Sequence, residues 1–380
     1  SQRSIVATVI VVSTFLETRS DYGADTSDIL TARVALTESD YPDSRSRTVF
    51  MESLQSRLES TSGVSEVMIS SALPGAPVSS PTIAVEGREY DERRGLPRSN
   101  YIVVTPGTLD KLGVELREGR YLNSSDNDLG KRTVVVTESF AARQFPGESA
   151  LSKRVRLASA DGQAPDWLTI VGVVEHTSQG RASSDDGKMP SIFRPFGQDP
   201  RTEMTIAMRM VGSQAEAVRS LRETLKSIDP GLPAFRIETY ERYLWRISAP
   251  LRFISTVFLI FGIAAVLLAA SGIYGVMSNT IFQRTGEIGV KRALGAVEAR
   301  ITREFLFSGL RQLLIGAIPG LLAGGAMGFA MSTVLGLDMS ILAAVALLIV
   351  SLTAIVVLAA TLLPTRRVLA MEPSEALRHE

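Results

Sequence analysis

The sequence predicts an α-helical membrane bundle of four transmembrane helices, the first incomplete, with a large α+β domain inserted between helices 1 and 2. Two observations support this fold class. Three stretches without a charged residue, 253–283, 313–337 and 341–363, lie near the C-terminus, and each exceeds the roughly 20 apolar residues that a helix needs to cross a bilayer. Before them, short β-rich runs alternate with amphipathic helical patterns, as in a folded α+β domain.

The pattern also predicts the order of the segments along the chain. They are the end of transmembrane helix 1 (1–19), a core domain of two lobes (20–249) with a β-rich insertion (about 75–200), transmembrane helix 2 (250–282), a polar loop (283–303), transmembrane helix 3 (304–337), a hairpin (338–340), transmembrane helix 4 (341–363) and a tail (364–380). Two lobes are expected because strand–helix–strand patterns occur at both ends of the core domain.

The first helix is incomplete because residues 5–16 are largely apolar but too few to span a bilayer. We interpret them as the outer end of a transmembrane helix whose first half lies upstream of this sequence. A signal-peptide core has the same length, although no small-residue cleavage site follows it. A buried strand or helix is the third interpretation.

Seven stretches of the core domain are predicted as strands, because β-branched and apolar residues alternate or cluster in them. They are 29–36, 64–71, 82–87, 100–106, 132–139, 169–176 and 204–210. Residues 235–239 lead into a helix that begins at Tyr240 and continues into the membrane at Pro250.

Helical spacing of apolar residues predicts two longer helices in the core domain, at 42–60 and 213–228. The residues expected on their buried faces are Val49, Phe50, Leu54 and Leu58 in the first and Ala217, Leu221, Leu225 and Ile228 in the second. Shorter helices are expected at 106–112 and 138–145.

The orientation follows from lysine and arginine, which mark the cytoplasmic ends of membrane helices. The loop 283–303 and the tail after residue 363 are rich in these residues, whereas Asp338 is the one charge between helices 3 and 4. The loop and the tail are therefore predicted to face the cytoplasm. The core domain and the 338–340 hairpin lie on the other side.

Composition argues against several classes of function. The 40 Lys and Arg balance the 40 Asp and Glu, so no positive surplus favours nucleic acid. The chain has no cysteine and two histidines, His176 and His379, so we expect no metal site and no histidine-based catalytic site. No G-x-x-x-x-G-K-[ST] phosphate loop occurs, and we expect neither an enzyme nor a cofactor in this chain.

Glycine recurs at every fourth position of the predicted third helix. The four residues are Gly316, Gly320, Gly324 and Gly328. They share one helix face and would let another backbone approach closely, since helices in lipid associate through close packing. Glycine is also common in membrane helices generally. We predict a helix-packing surface here, formed either within the chain or between chains.

The loop 283–303 is predicted to be an amphipathic helix, with Glu287 and Lys291 one turn apart. By its chemistry alone, it would lie in the membrane interface and be held to anionic lipid by its basic residues.

Two motifs resemble a known family. The loop QRTGEIGVKRALGA and the C-terminal LPTRRVLAMEPSEALRHE are similar to signatures of the MacB/FtsX-type permeases of ABC transport systems. Core-domain phrases such as SALPG, VVTPGTLDKLGVELREGR and IVGVVEH also resemble that family, and are most similar to one half of its duplicated orphan permeases, truncated at the N-terminus. The Thr285-Gly286 pair departs from the family motif and places a glycine inside the helix.

The resemblance implies a permease that transmits movement. A partner ABC-type ATPase would bind the loop between helices 2 and 3 and thereby move the core domain. This movement would export or extract a substrate that the sequence does not identify. The resemblance further implies the bacterial inner membrane, a periplasmic core domain, a second permease half or an identical copy, and a periplasmic adaptor. The residues that inherit the ATPase-coupling role are Glu287, Ile288, Gly289, Arg292, Ala293, Leu294 and Gly295.

Two other readings stay open. A membrane-anchored scaffold or sensor without its own ATPase is the alternative function, and a co-purifying ATPase would argue against it. A membrane-bound enzyme is the third, although no catalytic constellation supports it.

Overall fold

The computed structural model describes residues 22–88, 90, 96–158, 166–180 and 188–283, together with positions 303, 307, 315, 318–320, 322, 324–326, 347, 351, 354, 355 and 358. One compact unit is formed by Arg19–Ala249, and the chain from Pro250 onward belongs to a second unit. The first unit contains the α+β domain that the sequence predicts. The predicted spans at 1–19, 304–337 and 341–363 lie wholly or largely outside the described residues.

The α+β domain is built on a mixed sheet of eleven strands. The strands are β1 Ile29–Ala35, β2 Val64–Ser70, β3 Ile83–Val85, β4 Asn100–Val104, β5 Leu116–Gly119, β6 Thr133–Thr137, β7 Arg154–Leu157, β8 Leu168–Val174, β9 Ser191–Pro195, β10 Glu203–Met210 and β11 Phe235–Thr239. Each of the seven predicted strands is present. Strands β5, β7, β9 and β11 were not predicted as strands.

The order of strands across the sheet brings the two ends of the domain together. It runs β11-β1-β10-β2-β4-β9-β6-β8-β7-β3, and β5 pairs with β8 beside β7. Strand β1 therefore lies between β10 and β11, both antiparallel to it. The pairs β4–β9 and β6–β8 are parallel.

Five α-helices accompany the sheet: α1 Ser44–Glu59, α2 Thr108–Lys111, α3 Glu138–Gln144, α4 Gln214–Ile228 and α5 Tyr240–Gln283. The two longer helices of the domain begin at side-chain caps, as their sequences favour. Asp43 accepts a hydrogen bond from the Ser46 amide before α1, and Ser213 forms a capping box with Glu216 before α4.

The core lies on both faces of the sheet, because successive side chains of a strand point to opposite faces. On one face, Val67 and Ile69 of β2 pack in a cluster with buried residues of α1 and α4. On the other face, Met68 packs with the loop after β2 and with Tyr240 and Tyr243 of α5. The start of α5 is thus part of the domain core.

One residue expected in the core lies outside it. Val49 of α1 is 57% exposed, whereas Met51 is fully buried beside Phe50, Leu54 and Leu58. The helix buries the 50–51–54–58 face, so Val49, one position before Phe50, turns toward solvent. The stripe predicted on α4 is correct at Ala217, Leu221 and Leu225.

The sheet is narrowest between β2 and β4. There, a single pair of residues, Ser70 and Val104, lies in register, whereas β1 pairs with β10 over its whole length. The division of the domain into two lobes stays a prediction, and this narrow link is the place where such a division would fall.

Helix α5 follows β11 directly and runs from Tyr240 through Pro250 to Gln283. Within the described residues, it contains the one stretch that is long and apolar enough to cross a membrane, Leu259–Val276, with a mean hydropathy of 2.2.

Candidate functional site

The residues predicted for ATPase coupling, Glu287 to Gly295, lie outside the described residues, and so do Gly316 and Gly328. Of the predicted glycine surface, Gly320 and Gly324 are described. Both are helical, Gly320 is half-buried and Gly324 is buried. The coupling role and the packing role therefore stay predictions.

The contacts that fix α5 to the domain centre on one loop, residues 73–76, which follows β2. The hydroxyl of Tyr240, in the first turn of α5, donates a hydrogen bond of 2.6 Å to the Pro74 carbonyl oxygen. Tyr240 is fully buried, and burial raises the pKa of its hydroxyl well above the ordinary value, with smaller effects from Tyr243 and Tyr22. The hydroxyl therefore stays protonated and remains a donor.

Gly75 lets this loop lie close to two other segments. Its φ is +80°, and a Cβ added to it would lie 2.6 Å from Leu244 Cδ2 in α5 and 3.0 Å from Tyr22 Cε1. Tyr22 belongs to residues 22–28, which we call the incoming segment because they precede β1. The positive φ favours glycine at this position.

The other side of the loop contacts residues 176–180, which follow β8. The Gly75 amide donates to the Ser178 carbonyl oxygen at 2.8 Å, and the Gly180 amide donates to the Ala76 carbonyl oxygen at 2.8 Å. The Ser178 amide in turn donates to the Tyr22 carbonyl oxygen at 3.1 Å. Three stretches distant in sequence are thus joined through backbone hydrogen bonds.

Arg209 of β10 holds the incoming segment to the sheet. Its guanidinium donates to the Glu66 carboxylate at 2.7 Å, to the Ser27 carbonyl oxygen at 2.9 Å and to the Lys111 carbonyl oxygen at 3.1 Å. It also pairs with Asp25 at 3.0 Å. Five donors on a planar group suit this role of joining several acceptors.

An ion pair between the buried Asp126 and the partly exposed Arg120 closes the turn after β5. Asp126, whose side chain is fully buried, accepts hydrogen bonds from Arg120 at 2.6 and 2.9 Å, from the Asn123 amide at 2.9 Å and from Thr133 Oγ1 at 3.1 Å. Burial alone would raise the pKa of Asp126, but Arg120 and the other donors together hold the pKa below its usual range. This cluster stabilises the turn and offers no open ligand position.

Groups with catalytic or metal-binding potential are sparse in the part of the chain that the structure describes. Ser139 Oγ lies 2.8 Å from His176 Nδ1 and Thr137 Oγ1 lies 2.9 Å from the same Ser139 oxygen. These contacts tie the start of α3 to the end of β8. No group of three or more His, Cys, Asp or Glu able to hold a metal occurs among the described residues.

The 73–76 loop was not predicted as a site, because a Pro-Gly pair indicates only a turn. The available signal was the pair Tyr240 and Tyr243 at the start of α5. Two tyrosines at helical spacing ahead of a membrane segment indicate a helix that is packed against protein before it becomes apolar.

Comparison with known proteins matches two successive regions of the chain. A family model described as a MacB-like periplasmic core domain matches residues 4–224, and one described as an FtsX-like permease C-terminal matches residues 259–373. The arrangement is that of a membrane permease with a large α+β periplasmic domain. The chain belongs to the MacB/FtsX-type permease family.

Curated relatives are distant and longer than the matched region. The macrolide export ATP-binding/permease protein MacB of Aggregatibacter actinomycetemcomitans is 25% identical over 218 residues, which cover 54% of this chain and 32% of that protein. The uncharacterized ABC transporter permease YvrN of Bacillus subtilis is 26% identical over 219 residues, which cover 54% of this chain and 52% of YvrN. The chain therefore matches about a third to a half of the length of these relatives.

A similar solved structure is the periplasmic region of MacB from Actinobacillus actinomycetemcomitans. It is 19% identical, covers 60% of this chain and 94% of its own, and has a TM-score of 0.39.

Proposed function

We propose that this chain is the permease subunit of an ABC transport system and converts ATP hydrolysis by a partner ATPase into movement of its periplasmic domain. The observation that carries the proposal is the pair of matches along one chain, a periplasmic core domain followed by a permease region. The names of the relatives, an ATP-binding/permease protein and an ABC transporter permease, support the same class of system.

The proposed route of coupling has two ends. At the cytoplasmic end, the ATPase grips the loop 283–303 through Glu287, Ile288, Gly289, Arg292, Ala293, Leu294 and Gly295. At the periplasmic end, movement reaches the domain through α5, since this helix follows β11 without an intervening loop and contains the apolar stretch Leu259–Val276.

The proposed topology places four transmembrane helices in the bacterial inner membrane, with both ends of the bundle in the cytoplasm. The partners are an ABC-type ATPase, a second permease that is either an identical copy or a paralogous half, and a periplasmic adaptor. The transported cargo is exported or extracted on the periplasmic side.

Purification of the intact complex from the native membrane tests the proposal. Recovery of an ABC-type ATPase in stoichiometric amount supports it. Stable recovery with unrelated membrane proteins and no ATPase would favour the scaffold or sensor function instead.

A further inference from the structure

The 73–76 loop contacts α5, the incoming segment and residues 176–180 at the same time. We infer that this loop is a clasp that makes the β8 side of the domain follow α5, and that Tyr240 is the positioning residue of the clasp. The inference rests on the proposed function, because it assigns a route to the movement that the permease would transmit.

The need for such a clasp follows from the sheet. Helix α5 continues from β11, which pairs with β1 on one side of the narrow link. On the other side lie β4, β9, β6, β8, β7 and β3, together with β5, which pairs with β8. Across the link itself, the Ser71 amide donates to the Val103 carbonyl oxygen and the Thr105 amide to the Ile69 carbonyl oxygen, at 2.8 and 2.9 Å. A link of one residue pair has fewer backbone hydrogen bonds than the fully paired β1–β10 ladder.

The clasp bypasses this link. In α5, the Tyr240 hydroxyl donates a hydrogen bond to the Pro74 carbonyl oxygen. In the loop, the Gly75 amide donates a hydrogen bond to the Ser178 carbonyl oxygen, and the Ala76 carbonyl oxygen accepts one from the Gly180 amide, each at 2.8 Å. Ser178 is four residues beyond the end of β8 at Val174. Three hydrogen bonds therefore connect the first turn of α5 to the chain leaving β8.

The 73–76 loop is also packed closely against α5 and the incoming segment. A Cβ added to Gly75 would lie 2.6 Å from Leu244 Cδ2 and 3.0 Å from Tyr22 Cε1, so the loop lies in close contact with both side chains. Packed interiors transmit displacement because their atoms cannot be compressed. A shift of α5 would therefore displace the loop, and the loop would displace residues 176–180.

Amide hydrogen exchange on the full chain in lipid nanodiscs tests the clasp without nucleotide. Tyr240→Phe removes the donor to Pro74 and keeps the ring, whereas Tyr243→Phe removes a hydroxyl from the neighbouring buried tyrosine and serves as the matched control. With Tyr240→Phe, we expect the amides of Gly75 and Gly180 and the end of β8 to exchange about fivefold faster, as the loss of one hydrogen bond predicts for a local opening. Exchange in β1 and β10 should not change.

Faster exchange confined to α5, or equal acceleration throughout the domain, would overturn the clasp. If Tyr240 only stabilised α5 or the domain as a whole, Tyr240→Phe would give one of these two patterns. Leu244→Ala, which weakens the packing against Gly75, provides a second variant with the same expected pattern if Tyr240→Phe does not fold. The measurement needs no ATPase. Absence of an ATPase from the purified complex would therefore contradict the proposed function and leave the exchange result standing.

Discussion

Gly23 lies against the carbonyl oxygen of His176, so closely that a Cβ added to Gly23 would be 2.2 Å from that oxygen. The incoming segment is thereby held against the chain that leaves β8. Gly23 also has a φ of +70°, which a residue with a side chain rarely adopts. Any substitution at Gly23 is therefore opposed by two separate free-energy costs, one from backbone strain at positive φ and one from overlap with the His176 carbonyl oxygen.

A matched pair of substitutions separates these costs. Gly87 has a φ of +73°, and nothing lies within 4 Å of a Cβ added to it. We expect Gly87→Ala to lower the free energy of unfolding by about 1 kcal/mol through backbone strain alone. Gly23→Ala should lower it by about 1–3 kcal/mol more, because the added methyl group overlaps a carbonyl. Thermal unfolding of the purified full chain measures both, and equal effects would contradict the close approach.

The buried carboxylate of Asp126 gives a second prediction. Asp126→Asn should destabilise the domain by about 2 kcal/mol, less than the loss of a fully buried pair, because Arg120 keeps access to solvent. Asp166→Asn is the control, since its pair with Arg132 at 2.9 Å is exposed on both sides, and the expected loss is below about 1 kcal/mol. Similar losses for the two variants would argue against a structural role for the Arg120–Asp126 pair.

The same carboxylate predicts a dependence on pH. The pKa of Asp126 is lowered in the folded state, so its contribution is complete above the unfolded pKa of about 4 and is lost as the pH falls through the folded pKa. The difference in unfolding free energy between the native chain and Asp126→Asn should therefore be full at neutral pH and shrink in acid. A difference that grows on acidification would contradict this sign.

The glycine surface of the third predicted helix gives a prediction for the membrane region. Gly320→Leu should weaken bundle or dimer assembly by about 1–2 kcal/mol, because a large side chain separates helices that pack through small residues. Ala344→Leu in the fourth predicted helix is the comparison and should have little effect. Detergent-resistant assembly, measured by size and crosslinking, distinguishes the two, and equal negligible effects would exclude a packing surface.

The cytoplasmic loop is tested by changes of shape and of charge. Ala293→Trp should clash in an ATPase cleft, and Glu287→Arg should place a repulsive charge against the partner. Both should reduce capture of the ATPase while protease resistance of the periplasmic domain is retained. An interfacial amphipathic helix behaves differently, because a larger apolar residue at position 293 would strengthen its membrane binding. Undiminished capture of the ATPase by both variants would support that alternative.

Topology is tested by labelling, since the chain has no native cysteine. Ser184→Cys should react with a membrane-impermeant thiol reagent from the periplasmic side, and Ala299→Cys should react from the cytoplasmic side. We expect these two results because lysine and arginine are concentrated in the loop and the tail that are predicted to face the cytoplasm. Labelling of position 184 from the cytoplasm alone would overturn the orientation.

Much of the α+β fold could be predicted because its signals are local. Helix α5 begins at Tyr240, as the pattern indicates. Strands β5 and β7 could not be found in the same way. Leu116–Gly119 is short, mostly exposed and includes an arginine and a glutamate, and Arg154–Leu157 carries two arginines. These strands form because β8 offers backbone partners, which a single stretch of sequence does not reveal.

The clasp could not be predicted for a related reason. Its contacts join Pro74 to Tyr240, 166 residues apart, and the groups of the loop that take part are backbone groups, which every residue carries. A pattern of apolar side chains, such as the one along α4, predicts which face of a helix is buried. It does not predict which loop packs against that face. Long-range backbone contacts therefore appear only in the folded domain.

The central position of β1 has a consequence for how the domain is made. Strand β1 is synthesised well before its neighbours β10 and β11, which begin at Glu203 and Phe235. At about 5–20 residues per second, on the order of ten seconds or more separates β1 from its partners. During that interval, a mostly apolar strand has two unpaired edges, which favour aggregation. The pairing of β1 on both edges is therefore complete only after β11 has been synthesised.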